Sequence, residues 1–318
     1  MAMTKLSFVI PCYGSEKTLE SVIHEITETL QTRKEFDYEI ILVNDSSPDH
    51  VFSVIKKLTE SNPKIKGIDL AKNFGQHAAL MTGFNHVTGD IVISLDDDGQ
   101  NPADEVFKLV DEIDDDHDLV FAKYGARQYS FFRNFGSKVN DAMAVFFIGK
   151  PKNLIIGTYF ACKRFVIDEI IKYRNPYPYI EGLLLRATNK VKNVQVNHRE
   201  RISGHSGYDF KKLFSLWING FTAFSVKPLR VATIIGVICA CFGFLYGCFV
   251  IVEKFLDPTT PTGYSSTMAA LLFIGGLIML ILGMIGEYVG RIYISLNNSP
   301  QYVIRKKMNI SEKADPES

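Results

Sequence analysis

The sequence predicts an α/β domain built on a doubly wound sheet, followed by an interfacial helix and a two-helix transmembrane hairpin. Three observations carry this expectation. Short β-rich runs alternate with helical patterns over the first third of the chain. Two long stretches toward the C-terminal end carry no charge. Before them lies a segment whose aromatic residues recur at helical spacing.

Leu6–Ile10 reads as the first strand. It is too short for the apolar core of a secretory signal, and Pro11 follows where cleavage needs small residues. Lys17–Leu30 then reads as helix, Glu39–Val43 as strand, Val51–Leu58 as helix and Ile65–Asp69 as strand. Gln76–His86 is a third helix, and Asp90–Leu95 a fourth strand. A catalytic-sized domain over residues 1–208 follows from that count. In Asp209–Ser225, Phe210, Leu213, Phe214, Trp217, Phe221 and Phe224 share one helical face, with Lys211 and Lys212 off it. Such a face suits a helix lying in the headgroup layer, expected over 209–227.

Val231–Val252 and Met268–Gly286 are each free of charge, and a Pro-containing loop joins them. Core helices of a soluble domain show a polar face, and these show none. They predict a hairpin over 228–296. Lys211, Lys212, Lys227 and Arg230 precede it, Arg291, Arg305, Lys306 and Lys307 follow, and the loop carries a single lysine. The positive-inside rule then places both termini in the cytoplasm and the loop outside. Residues 297–318 read as a polar cytoplasmic tail.

Composition excludes several classes. Lys+Arg and Asp+Glu are both 35, a balance unlike that of a nucleic-acid binder. With 47% hydrophobic and 12% aromatic residues the chain is not disordered. Five cysteines without metal-site or framework spacing point to a reducing compartment.

The chemistry concentrates in Asp90–Pro102. An apolar strand ends in Asp96, Asp97 and Asp98, and Gly99 permits a sharp turn. Ligands of open α/β sheets bind beyond the carboxyl ends of strands. Side chains alternate along extended backbone, so Asp96 and Asp98 share a face while Asp97 points elsewhere. With the Gln100 amide they form a hard-oxygen set suited to Mg²⁺ or Mn²⁺. Asp111–Asp118 holds more acid but no strand lies behind it, so it reads as solvated surface. The first two strands end near Tyr13, a π-face for a base, and Asp45, an acceptor for imide or ribose donors. Neither is followed by GxGxxG, which argues against a dinucleotide fold.

VIPCYG, VNDSSPD, the run Lys72–Pro102 and the late GEYVGRIY together resemble the inverting polyprenyl-phosphate glycosyltransferases, GT-A-fold enzymes akin to dolichol-phosphate mannose synthase. Bacterial members with a membrane hairpin match best, and the resemblance spans about Leu6 to Tyr302. It implies a metal motif at Asp96, Asp98 and Gln100, and nucleotide-sugar contacts at Pro11, Tyr13, Asp45 and Asp96. It puts an acceptor-phosphate pair at Arg133 and Ser137, and a further basic segment at Arg201, Gly204 and Ser206. Asn44 stands where the family has an aspartate, and Thr158 and Phe160 where many relatives carry an aspartate and an arginine.

The function implied is inverting transfer of a sugar, with UDP-glucose as the first expectation, to undecaprenyl phosphate for cell-envelope glycan modification. The same resemblance implies a bacterial inner-membrane enzyme, multi-pass, assembled as a homo-tetramer. Two other readings are a chain-extending polysaccharide synthase and a non-catalytic scaffold. The first lacks its Q-x-x-R-W segment, and the intact Asp96/Asp98/Gln100 set opposes the second.

Overall fold

A computed structural model describes residues 3–125, 145, 150–197, 199, 227–256, 263–297 and 299–310. Residue contacts divide the chain into a sheet domain, to which the residues after the hairpin belong, and a helical region.

In the sheet domain, β1 (Thr4–Cys12), β2 (Phe36–Asn44), β3 (Ile65–Leu70) and β4 (Ile91–Ser94) are the four strands the alternation predicts. Between them run α1 (Leu19–Gln31), α2 (Val51–Ser61) and α3 (Gln76–Phe84). A 3-10 turn over Ala103–Glu105 leads into α4 (Val106–Val110) and β5 (Leu119–Tyr124). Then come β6 (Phe160–Lys163), α5 (Arg164–Ile170), α6 (Ile180–Ala187) and β7 (Val191–Val196).

The first strands are apolar runs because both faces are covered: Phe8, Val9, Ile10, Ile40, Ile41 and Leu42 are all buried. Helix α1 buries Leu19, Val22, Ile23, Ile26 and Leu30, one stripe at helical spacing. Helix α3 departs from that pattern. It is buried from Ala78 to Phe84, with no solvated face at all.

The strand order is β7-β5-β6-β4-β1-β2-β3-β8. One feature goes beyond the sequence reading and one corrects it. The sheet is mixed, because β6 runs antiparallel between β4 and β5. And the segment expected as a polar tail supplies a strand, β8 (Ile304–Met308), antiparallel to β3 at the sheet edge.

One buried carboxylate gathers a polar cluster that reaches the surface. The Glu39 carboxylate accepts from Ser7 Oγ (2.6 Å), Lys66 Nζ (2.6 Å), Thr88 Oγ1 (2.8 Å) and the Thr88 amide (2.5 Å). Lys5 Nζ lies 3.2 Å away. Burial alone raises the Glu39 pKa, but these donors overcome it and hold the carboxyl at about 2.

The helical region contains α7 (Lys227–Leu256) and α8 (Tyr264–Leu296), which contact one another and enclose both charge-free stretches. Phe242, Phe244, Leu271, Phe273 and Met279 point outward from them. Phe273–Gly290 is long and apolar enough to cross a membrane. The expected interfacial helix at 209–227 lies outside the described residues except for Lys227, where α7 begins.

Candidate active site

Strands β1, β2, β3 and β4 are parallel, so their carboxyl ends share one edge. The order reverses between β1 and β4, which is the switch point where such sheets bind ligands. Pro11 helps open it. Val9 O accepts from the Leu95 amide on the β4 side, and Cys12 O from the Asp45 amide on the β2 side. Pro11 therefore faces β4 just past the last β1–β4 pair, Val9–Ser94, where its missing N–H costs no ladder bond.

The three aspartates after β4 take separate paths. Asp96 accepts from Gln76 Nε2 through one oxygen and from Thr158 Oγ1 through the other, each at 2.7 Å. Asp97 turns to the β1 loop and accepts from the Tyr13 amide at 2.9 Å. Asp98 accepts from the Gln100 backbone amide at 3.0 Å, and Gly99 turns the chain at φ +75°, a conformation glycine adopts without strain.

Burial drives the Asp97 carboxyl up to about 7; the charges of Asp96 and Asp98 add to the push, and the Tyr13 amide opposes it. Burial likewise raises the Tyr124 phenol, and the same two carboxylates raise it further. Tyr124 donates to Asn101 on the same loop.

As a metal set, Asp96, Asp98 and the Gln100 side-chain amide offer hard oxygen donors. Among the described residues no three His, Cys, Asp or Glu side chains converge on one point. A cation at this turn would take two carboxylates from the protein, a stoichiometry that suits Mg²⁺ or Mn²⁺ shared with substrate phosphates.

Along the same edge, the Tyr13 ring is 54% exposed and open to a stacking partner. Asp45 sits beneath this edge. It is only 3% exposed, and its two oxygens accept the Phe74 amide at 2.7 Å and the Gly75 amide at 2.8 Å. It pins the loop before α3, where Gly75 adopts φ +89°. Asn44 Nδ2 donates to Asp69 Oδ1 at 2.7 Å; an aspartate at 44 would set two carboxylates against each other there. Ser47 Oγ accepts the Gly14 amide at 2.8 Å and joins the β1 and β2 loops.

Three residues of this site escaped the sequence reading as participants. Gln76 and Thr158 hold Asp96, and Tyr124 donates to Asn101 on the loop that follows it. At Thr158, where many relatives carry an aspartate, the hydroxyl supplies a donor where a second carboxylate would repel Asp96. Phe160 is core, packed against Phe84 and Phe121. His77 lies edge-on to Tyr179, with Nδ1 3.8 Å from Glu181 Oε2. Arg133, Ser137, Arg201, Gly204 and Ser206 lie outside the described residues.

Comparison with known proteins places this edge in a family. The model for glycosyl transferase family 2 matches residues 7–171, and that for the GtrB C-terminal hairpin matches 227–292. The chain is 31% identical to the SfII prophage-derived bactoprenol glucosyl transferase of Shigella flexneri, covering 95% of this chain and 98% of that one. It is 32% identical to the undecaprenyl-phosphate 4-deoxy-4-formamido-L-arabinose transferase of Proteus mirabilis, over 98% and 96%. Among solved structures, glucosyl-3-phosphoglycerate synthase of Mycobacterium tuberculosis shares the fold with a TM-score of 0.52 at 18% identity, over 68% and 76% of the two chains. Mannosyl-3-phosphoglycerate synthase of Rubrobacter xylanophilus does so at 0.55 and 16%, over 71% and 74%. With a GT-A-like mixed sheet, a C-terminal hairpin and relatives matched along nearly their whole length, the chain belongs to glycosyl transferase family 2, in the polyprenyl-phosphate group that includes the bactoprenol glucosyl and undecaprenyl-phosphate formamidoarabinose transferases.

Proposed function

We propose that this protein transfers a sugar from a UDP-linked donor to undecaprenyl phosphate with inversion, at the cytoplasmic face of the bacterial inner membrane. The observation that carries the reading is the Asp96–Gln100 turn at the β1–β4 switch point, in a chain aligned end to end with bactoprenol glucosyl transferases. Glucose is the sugar of those relatives and the first to test.

The chemistry asks little proton transfer of the protein. A phosphate monoester has its second pKa near ~6, so the acceptor is largely a dianion at cytosolic pH. Its oxygen attacks the anomeric carbon from the face opposite the diphosphate, and the bond to the diphosphate oxygen breaks with its electron pair. No base is required, which agrees with a threonine at 158 whose hydroxyl is already committed to Asp96. Asp96, Asp98 and Gln100 would hold Mg²⁺ or Mn²⁺, which when bound supplies charge neutralisation for the leaving diphosphate. Tyr13 stacks on the nucleotide base. Arg133, Ser137 and Arg201 hold the lipid phosphate, a task that suits guanidinium groups.

A panel of UDP-sugars with undecaprenyl phosphate and the purified full chain tests this directly. Product with at least one donor is expected, and loss of product on adding EDTA. No product from any donor, including UDP-glucose, would refute the reading. Varying one substrate at a time then assigns Arg133: in Arg133→Ala the acceptor KM rises and UDP binding is kept, whereas weakened UDP binding would move this residue to the donor side.

Helices α7 and α8 cross the membrane in this reading, with the loop between them outside. The outward apolar side chains and the charge asymmetry of the flanks support that orientation. A cysteine at Thr260, in a background without native cysteines, reacts with an impermeant maleimide on intact spheroplasts. Labelling only after lysis would reverse the topology.

A further inference from the structure

The strand that follows the hairpin starts beside the carboxyl end of β3. Gln301 Nε2 donates to Tyr173 O and Asn175 O, at 3.3 and 2.9 Å. The Ala71 amide donates to Val303 O at 2.8 Å. At the far end, Asn309 Nδ2 donates to Thr59 O and Ile65 O, at 2.7 and 2.8 Å. Between these anchors the β3–β8 register slips. Asp69 pairs with Lys306 and Leu70 with Ile304, so Arg305 is the extra residue of a bulge. Bulges re-aim side chains, and here the guanidinium reaches Asp69 Oδ2 at 3.4 Å and donates to Ala71 O at 2.7 Å.

Asp69 is 4% exposed, a carboxylate buried at the carboxyl end of β3. Its second oxygen accepts from Asn44, whose own Oδ1 accepts the Ser47 amide at 3.1 Å. Ser47 Oγ in turn accepts the amide of Gly14, the neighbour of exposed Tyr13. A continuous run of polar contacts thus crosses the ends of three strands, from the post-hairpin strand to the β1 loop. A buried acid that only needed a counter-charge could take it from any nearby lysine. The bulge and the planar fork instead fix one geometry at Asp69, and through it the side of the Asn44 amide presented to the β2 loop.

We propose that Arg305 is a positioning residue for the nucleotide donor, acting through Asp69 and Asn44 on the Asp45–Ser47 loop and on the β1 loop beside Tyr13. The proposal rests on the donor reading given above. It makes the chain's return from the hairpin part of the donor site, so that anchorage and nucleotide binding share one strand.

Calorimetry with UDP and Mn²⁺, and initial rates, on the full chain in detergent test it. Arg305→Ala weakens UDP binding and raises donor KM about tenfold, with acceptor KM within about twofold and kcat lowered less than donor affinity. Arg305→Lys restores part of the loss. Asp69→Asn, which keeps the shape of the acid, reproduces it, and the double variant is no worse than either single one. UDP affinity unchanged in Arg305→Ala overturns the proposal. So does an equal loss toward donor and acceptor that tracks a fall in melting temperature, since that marks a purely structural role. A wild-type chain that binds no UDP at all would sink the donor reading itself, a result distinct from both.

Discussion

Asp98→Asn lowers sugar transfer by about 10²–10³-fold while leaving the fold intact. The reasoning is local. The asparagine oxygen still accepts the Gln100 amide that Asp98 accepts at 3.0 Å, so the turn at Gly99 keeps its support. What disappears is one of two negative charges at the carboxyl edge. A cation that draws only two carboxylates from the protein loses half of its protein charge with that change. Donor and acceptor rates should fall together, with an unchanged melting temperature and wild-type activity abolished by EDTA. Near-normal turnover in the variant, or indifference of the wild type to chelation, would remove Asp98 from the metal set.

Glu39→Ala has the largest effect expected on stability. Removing that buried carboxylate leaves Lys66, Ser7 and the Thr88 amide and hydroxyl without their acceptor. Breaking a buried pair in this way costs about 3–5 kcal/mol. Linkage gives a similar size: a carboxyl held at about 2 instead of the ordinary 4.5 contributes on the order of 3 kcal/mol. The sign is that of a depressed acid. Its contribution is complete above the ordinary pKa and is lost as pH falls toward about 2, so the wild type loses an advantage over Glu39→Gln in that window. For a domain of this size the melting midpoint at neutral pH should drop by about 10 °C in Glu39→Ala. A drop under about 2 °C would mean that water satisfies the orphaned donors.

What the sequence determined by itself is whatever repeats locally. Apolar runs of strand length separated by helical stripes specify β1 to β4 and the helices between them, with bounds within a few residues of those observed. The absence of charge over two long stretches marks α7 and α8. Tertiary structure alone decided what depends on a distant partner. Thr158 reaches Asp96 across 62 positions, and Asp45 caps a loop 29 positions onward; no local period encodes either. β6 is four residues long, and its antiparallel insertion is fixed only by β4 and β5 on its two sides. Ile304–Met308 reads as a charged tail because an edge strand leaves much of its surface to water. Arg305, Lys306 and Lys307 stay exposed, and backbone pairing with β3, with the side-chain anchors of Gln301, Arg305 and Asn309, makes it a strand. Hydrophobic patterning dictates which segments become elements, whereas loop ends and edges take their form from single long-range hydrogen bonds that no pattern announces.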